Sequence, residues 1–236
     1  MCGRYNVLTS AQGFVDLLDL LVEIGSVGAA GPRYNGAPTQ LLPVVRRFPD
    51  AMSARIDDLK WGLVPSWAKD PGIGNRMINA RMETAAEKPA YRVPYRRRRC
   101  LVAADGWYEW RRSADGKQPW MIRRRDGEPF FIAGLWESWR GKGRDADAPA
   151  LETFTLLTGD ASAQLARIHA RMPVVLDRGL YEQWLDPRMT DPQALCEVLD
   201  ARPLDVFEVW PVSRYVNSPA NDSARCLERI PDPERS

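Results

Sequence analysis

The chain is poor in the residues that most often carry metal or acid–base chemistry. Histidine occurs once in 236 residues, and the four cysteines at 2, 100, 196 and 226 include no C-x-x-C pair. Structural zinc sites draw on closely spaced Cys and His, so this spacing argues against a zinc centre, and no metal or cofactor is expected. Lysine occurs five times, leaving 28 of the 33 basic residues as arginine. With 31 acidic residues the formal charge is only +2, which names no partner by itself. No apolar run approaches the ~20 residues that span a bilayer. An apolar leader is missing, and Gly3 stands one place too late for the myristoylation pattern. A cytoplasmic, nucleoid-associated protein with reduced thiols and no membrane partner is therefore expected. No repeat, low-complexity tract or Pro/Ser linker divides the chain. One domain over 1–230 is expected, with a disordered tail over 231–236, and no coiled-coil pattern argues against a monomer.

What is present is a soluble composition, 44% apolar and 27% charged, with nine tryptophans. Arginine favours bidentate phosphate contacts and stacking, and tryptophan offers faces for unpaired bases, although most tryptophans are core. Cys2 follows the initiator methionine directly. A small side chain at this place lets aminopeptidases remove Met1, leaving a cysteine with a free α-amine. An α-amine titrates near pKa ~8, so roughly a quarter is unprotonated at neutral pH, against about a thousandth of a lysine. Such an amine adds to an aldehyde as a Schiff base, and the neighbouring thiol can close a five-membered thiazolidine. Read on position alone, Cys2 is equally an ordinary small residue near a frayed terminus.

Along the chain, Phe14, Leu17, Leu18, Leu21 and Ile24 fall on one face of a helix expected over Thr9–Ile24, capped by Thr9 or Ser10. Pro32–Pro38 reads as a turn-rich loop with Asn35-Gly36, and strands are expected over Leu42–Phe48 and Ala54–Leu63. Trp61 and Trp67 flank Gly62 and Pro65, a core corner or a stacking platform. In Ile78–Thr84, Asn79, Arg81 and Glu83 share one face if extended, which suits a site wall or an exposed edge. Arg96–Arg99 reads mostly as a solvated run before the buried strand Cys100–Ala104. Glu109 between Tyr108 and Trp110 is a carboxylate in apolar company, whose pKa should rise, or else a partner for an arginine. Asp-Gly turns at 115–116 and 126–127 separate Trp107–Arg112, Gln118–Arg124 and Pro129–Trp136 into an antiparallel meander. A polar loop over Gly141–Ala148 and a strand over Thr153–Thr158 follow. A helix over Ala161–Arg171 would end in His169 and Arg171, where a lone histidine is more often a cap than a catalyst. Helices over Arg178–Leu185 and Pro192–Leu199 and a strand over Val206–Val212 complete the reading. The fold class is α+β: a single domain of curved, mostly antiparallel, open barrel-like sheets flanked by helices.

Four separated motifs read together: Met1-Cys2-Gly3-Arg4-Tyr5, Asn79-Ala80-Arg81-x-Glu83-Thr84, Asp105-Gly106-Trp107-Tyr108-Glu109-Trp110 and His169-Ala170-Arg171-Met172-Pro173. Between them lie Arg33-Tyr34-Asn35-x-Ala37-Pro38 and Trp61-Gly62-Leu63-Val64-Pro65-x-Trp67. The set resembles the SOS-response-associated peptidase family, the abasic-site processing proteins, from residue 1 to about 217. His-Ala-Arg stands where many relatives have His-Asp-Arg. The resemblance implies binding of single-stranded DNA and trapping of an abasic-site aldehyde as a thiazolidine on mature Cys2, in the DNA damage response. Carried over by motif, Cys2 is the nucleophile, Asn79 holds the amino terminus and the sugar hydroxyl, Glu109 shuttles a proton, and His169 protonates the sugar ring oxygen. Arg4, Arg81 and Arg171 would contact phosphates. Trp67 and Trp110 would stack on bases, and Pro38 joins this DNA-contact set. Replication proteins are counted as candidate partners. The Schiff base also opens a route to weak lyase activity, and the family's peptidase name fits self-removal of Met1.

Two other readings stay open at this point. Class II glutamine amidotransferases also begin Met-Cys-Gly, although Arg4 replaces their usual apolar residue and no glutamine-pocket motif is found. A single-strand-binding module without covalent chemistry is the other; its binding would survive loss of Cys2.

Overall fold

The computed structural model describes residues 2–28, 31–113, 116–141, 149–203 and 205–232. Thirteen strands among them, numbered in chain order, form two sheets. Five strands close a barrel: β4 (Leu41–Arg47), β5 (Ala54–Trp61), β7 (Arg99–Ala104), β10 (Phe130–Trp139) and β11 (Leu151–Asp160). The ladders β5–β4, β4–β7, β7–β10 and β10–β11 are antiparallel. A short parallel ladder, Thr153↔Lys60 and Phe154↔Trp61, closes the ring. Closure removes the free edges that an open sheet would expose. Three short strands extend this sheet: β2 (Val22–Ile24) on β5, and β6 (Asn79–Arg81) and β12 (Arg171–Pro173) on β11. The second sheet is antiparallel in the order β13 (Phe207–Pro211), β9 (Gly116–Arg124), β8 (Gly106–Ser113), β1 (Arg4–Val7), β3 (Arg33–Gly36). The expected α+β domain of curved, mostly antiparallel sheets is what the chain forms.

The barrel strands β7 and β10 read as near-continuous apolar runs because both of their faces are covered. Leu42, Val44, Ile56, Leu101, Val102, Phe154 and Leu156 are fully buried. At its rim Arg46 donates to Glu152 through two N–H groups (2.7 and 2.6 Å) and to Asp57 (3.1 Å), with its guanidinium 4.6 Å from the Trp136 ring centre. The expected solvated run at Arg96–Arg99 holds for Arg96 and Arg97 only. Arg98 pairs with Glu137 at 2.8 Å. Arg99 is buried and donates to the carbonyls of Trp184, Tyr95, Arg96 and Asp186, and burial pulls its pKa down to about 10.

Several local expectations fail, each because tertiary pairing overrides a short pattern. The helix expected over Thr9–Ile24 is only α1 (Ala11–Val15), capped by Ser10, whose hydroxyl accepts from Gly13 N–H. Val22 and Ile24 are β-branched and instead extend the free side of β5, leaving Leu21 and Ile24 exposed. The loop expected at 32–38 contains β3, which pairs with β1. The meander breaks after its second strand: β9 takes β13 as its other neighbour, while β10 crosses into the barrel. Phe207 of β13 makes that exchange worthwhile by packing edge-on to Trp107 at 4.9 Å. The helix expected over Ala161–Arg171 stops as α4 (Ala163–Ala166), and Arg171 opens β12. Most of the loop at 141–148, and residues 233–236 of the expected tail, lie outside the described residues.

Candidate functional site

Strand alternation sorts the side chains of β1 and β8. Arg4 lies opposite Tyr108 and Tyr5 opposite Trp107, so Tyr5, Trp107 and Glu109 turn inward while Arg4, Tyr108 and Trp110 turn outward. Tyr5 and Trp107 are fully buried, and Glu109 is only 4% exposed. Burial disfavours its carboxylate and raises its pKa to about 7, with the Trp110 N–H pulling the other way. The sequence reading of Glu109 as a carboxyl in apolar company therefore describes its surroundings correctly.

Cys2 enters β1 from the same side, and its side chain is fully buried. Burial, and then the Glu109 carboxylate, push its thiol pKa far up, so the thiol is the resting form. Its carbonyl accepts a 2.7 Å hydrogen bond from Asn79 Nδ2. Asn79 is brought there by β6, whose register pairs it with Leu156 of the barrel. The other amide atom, Asn79 Oδ1, is buried and has no hydrogen-bond partner among the described residues.

A cavity of about 410 Å³ opens beside these groups, lined by Arg4, Glu109, Trp110, Lys117, His169 and Asn217. His169 Nδ1 lies 3.0 Å from the Arg171 backbone nitrogen and 3.1 Å from the Arg171 carbonyl oxygen, two contacts that suit opposite tautomers of the ring. Burial lowers the His169 pKa, so the imidazole is neutral at pH 7. Four residues expected from the sequence, Arg4, Glu109, Trp110 and His169, thus line one cavity, with Cys2 and Asn79 packed beside it.

The remaining expected residues lie outside the lining. Arg171 is bound through two N–H groups to Glu83 (2.7 and 2.8 Å), to Asp160 (2.7 Å) and to the Thr158 carbonyl (2.6 Å). Arg81 is exposed on β6 with no ion pair among the described residues. The two tryptophans of the Trp61–Trp67 loop separate. Trp61 stacks on Phe154 in the core, whereas Trp67 is 59% exposed. Gly62 permits this sharp loop: its φ is +122°, and a Cβ there would lie 2.5 Å from the Gly74 carbonyl. Pro38 sits half-buried before Thr39, which has φ +76°.

Sequence reasoning missed Lys117 and Asn217. Lys117 comes from β9, opposite Arg112 in the hairpin. Asn217 ends the 3-10 turn Arg214–Asn217, and its Oδ1 accepts from Trp110 Nε1 at 2.8 Å. No local pattern announces either: the register of the β8–β9 hairpin brings Lys117 to the cavity, and long-range contact brings Asn217.

The family model described as SOS response associated peptidase (SRAP) matches residues 1–219. The chain belongs to this family. It is 38% identical over 230 residues to the abasic site processing protein YoaM of Bacillus subtilis, covering 97% of this chain and 98% of that one. It is 31% identical to the abasic site processing protein YedK of Escherichia coli, covering 98% and 100%. A solved Bacteroides thetaiotaomicron structure, 22% identical and covering 97% and 100%, superposes with a TM-score of 0.81 and shares the SRAP fold. Among the described residues of this SRAP chain, no helix is long and apolar enough to cross a membrane, and no group of three or more His, Cys, Asp or Glu could hold a metal ion.

Proposed function

We propose that this protein processes abasic sites in DNA, and does so by trapping the ring-opened sugar on Cys2 within single-stranded DNA. The names of its relatives support the substrate. The observation that carries the chemistry is Glu109, a buried carboxyl with its pKa raised to about 7, standing between the cavity and the Cys2 thiol.

Met1 must leave first, by self-removal or by an aminopeptidase, because a peptide nitrogen cannot form an imine. The freed amine adds to the C1′ aldehyde, and the resulting carbinolamine gives up its hydroxyl as water to leave a protonated imine. The Cys2 sulfur then adds to the imine carbon, its proton goes to a base, and the former imine nitrogen becomes the ring amine. The sum is one thiazolidine and one water. Such a sequence asks one group to give a proton and later take one, which suits a carboxyl titrating near neutrality. A neutral thiol suits it too, since the amine attacks first. Asn79 Oδ1 is an acceptor placed to orient the freed amine. His169 would give a proton to the sugar ring oxygen, favouring the open form. Arg4, Arg81 and Arg171 would meet phosphates, and Trp67 and Trp110 bases, each stacked base contributing ~1–3 kcal/mol whatever the sequence. A weak lyase activity would follow from β-elimination at the imine.

Intact mass spectrometry tests the reading. The purified protein should lack Met1, and incubation with an abasic single-stranded oligonucleotide should add its mass less one water. An unchanged mass, or an adduct that forms equally with Cys2→Ala, would overturn it. Binding without any adduct would favour a plain single-strand binder.

A further inference from the structure

The cavity is lined by two permanent cations, Arg4 and Lys117, and they are not equivalent. Arg4 is largely committed to the protein. Its guanidinium donates to Asn35 Oδ1 (2.8 Å), the Val216 carbonyl (2.9 Å) and the Asn217 carbonyl (3.2 Å). Asn35, itself buried, adds bonds from its amide to the carbonyls of Val216 (3.1 Å), Ser218 (2.9 Å) and Asn221 (2.7 Å). Together they fasten the segment 214–221 across β1 and β3, and that segment delivers Asn217 to the cavity and to the Trp110 indole. Arg4 is half-buried, and loss of water around the guanidinium lowers its pKa.

Lys117 is the opposite case. It is exposed, and no side-chain hydrogen bond, ion pair or ring contact ties its ammonium to any described residue. Glu109 lies buried below and Lys117 stands in solvent, so the ammonium marks the mouth of the cavity. With His169 neutral and Glu109 half-titrated at pH 7, the lining is net positive, and its uncommitted charge is on Lys117. An ammonium on a flexible four-carbon stem meets a phosphate as a point charge without demanding one orientation. Single-stranded DNA presents a phosphate on each side of every sugar.

We propose that Lys117 is a further phosphate-binding cation of this cavity, engaging the phosphate next to the reacting sugar, and that Arg4, besides any phosphate contact, is a latch that builds the wall carrying Asn217. This assignment rests on the single-stranded DNA reading above. It predicts a contact that is independent of sequence and sensitive to salt, because neutralising a phosphate releases counterions.

The test is fluorescence anisotropy with undamaged single-stranded oligonucleotides of two unrelated sequences, over a salt series. Lys117→Ala should lower the slope of log affinity against log salt by about 0.7 in magnitude, equally for both sequences. Lys117→Arg should keep the slope, and both variants should melt as the parent does, since the side chain packs on nothing. An unchanged slope for Lys117→Ala, with normal binding by the parent, overturns the role of Lys117 alone. A parent protein that binds neither sequence at any salt overturns the single-strand reading and this assignment with it.

Discussion

Cys2 and Cys100 are both fully buried, and burial holds both as neutral thiols, yet their surroundings differ in kind. Cys100 lies in β7 of the barrel. Its carbonyl accepts from the Trp184 indole at 2.9 Å, and the charge acting on its thiol is Arg46, which Asp57 and Glu152 already balance. Cys2 has the amide of Asn79 on its carbonyl, and the charge acting on its thiol is Glu109, a carboxyl that titrates near 7 and opens on a cavity. Depth in the fold therefore does not tell these two cysteines apart. What separates them is whether the nearest ionisable group is balanced or poised to exchange a proton.

That contrast can be broken from either side. The largest effect expected is on the adduct: Cys2→Ala should abolish the covalent product with an abasic oligonucleotide, and Cys100→Ala should leave its rate of formation unchanged, both read on denaturing gels. Next, Arg46→Ala strands Asp57 without its buried partner and should cost about 3–5 kcal/mol in urea unfolding; a loss near zero would mean the barrel rim is not ionically balanced. Third comes Glu109→Gln. A carboxyl whose pKa rises from an ordinary 4.5 to about 7 on folding contributes its full stability below pH 4.5 and loses it as pH climbs through 7. The glutamine variant lacks that loss, so between pH 5 and pH 8 its stability should gain on the parent by up to about 3 kcal/mol. Its adduct formation should slow at the same time. A stability difference that is flat with pH would show that Glu109 is not held against its charge. The smallest effect is on stability in Cys100→Ala, about 1–2 kcal/mol from the void left beside Val102 and Gly134.

The legible parts of the molecule were those fixed by neighbours in sequence. Alternation in β8 put Glu109 among aromatics, and the apolar run Cys100–Ala104 announced the buried strand β7. The spaced motifs brought Cys2, Asn79, Glu109 and His169 together before any coordinates. The rest depends on which strand meets which. Phe14, Leu17, Leu18, Leu21 and Ile24 satisfy a helical period, but β5 had an unfilled edge, and Val22–Ile24 fill it. Two Asp-Gly turns suggest a meander, yet nothing local says that β13, some eighty residues on, will displace β10 from β9. Asn217 was invisible for the same reason, since only long-range contact brings it to Trp110, whereas Lys117 arrives through the local hairpin but a lysine beside a turn carries no mark of a cavity.

The latch joins residues 4 and 35 to residues 216–221, segments far apart along the polypeptide. During synthesis the amino-terminal side of this cavity leaves the ribosome long before the segment that walls it exists. A nascent chain therefore carries its cysteine with the chamber unbuilt, and the wall arrives only once residues 216–221 have been made.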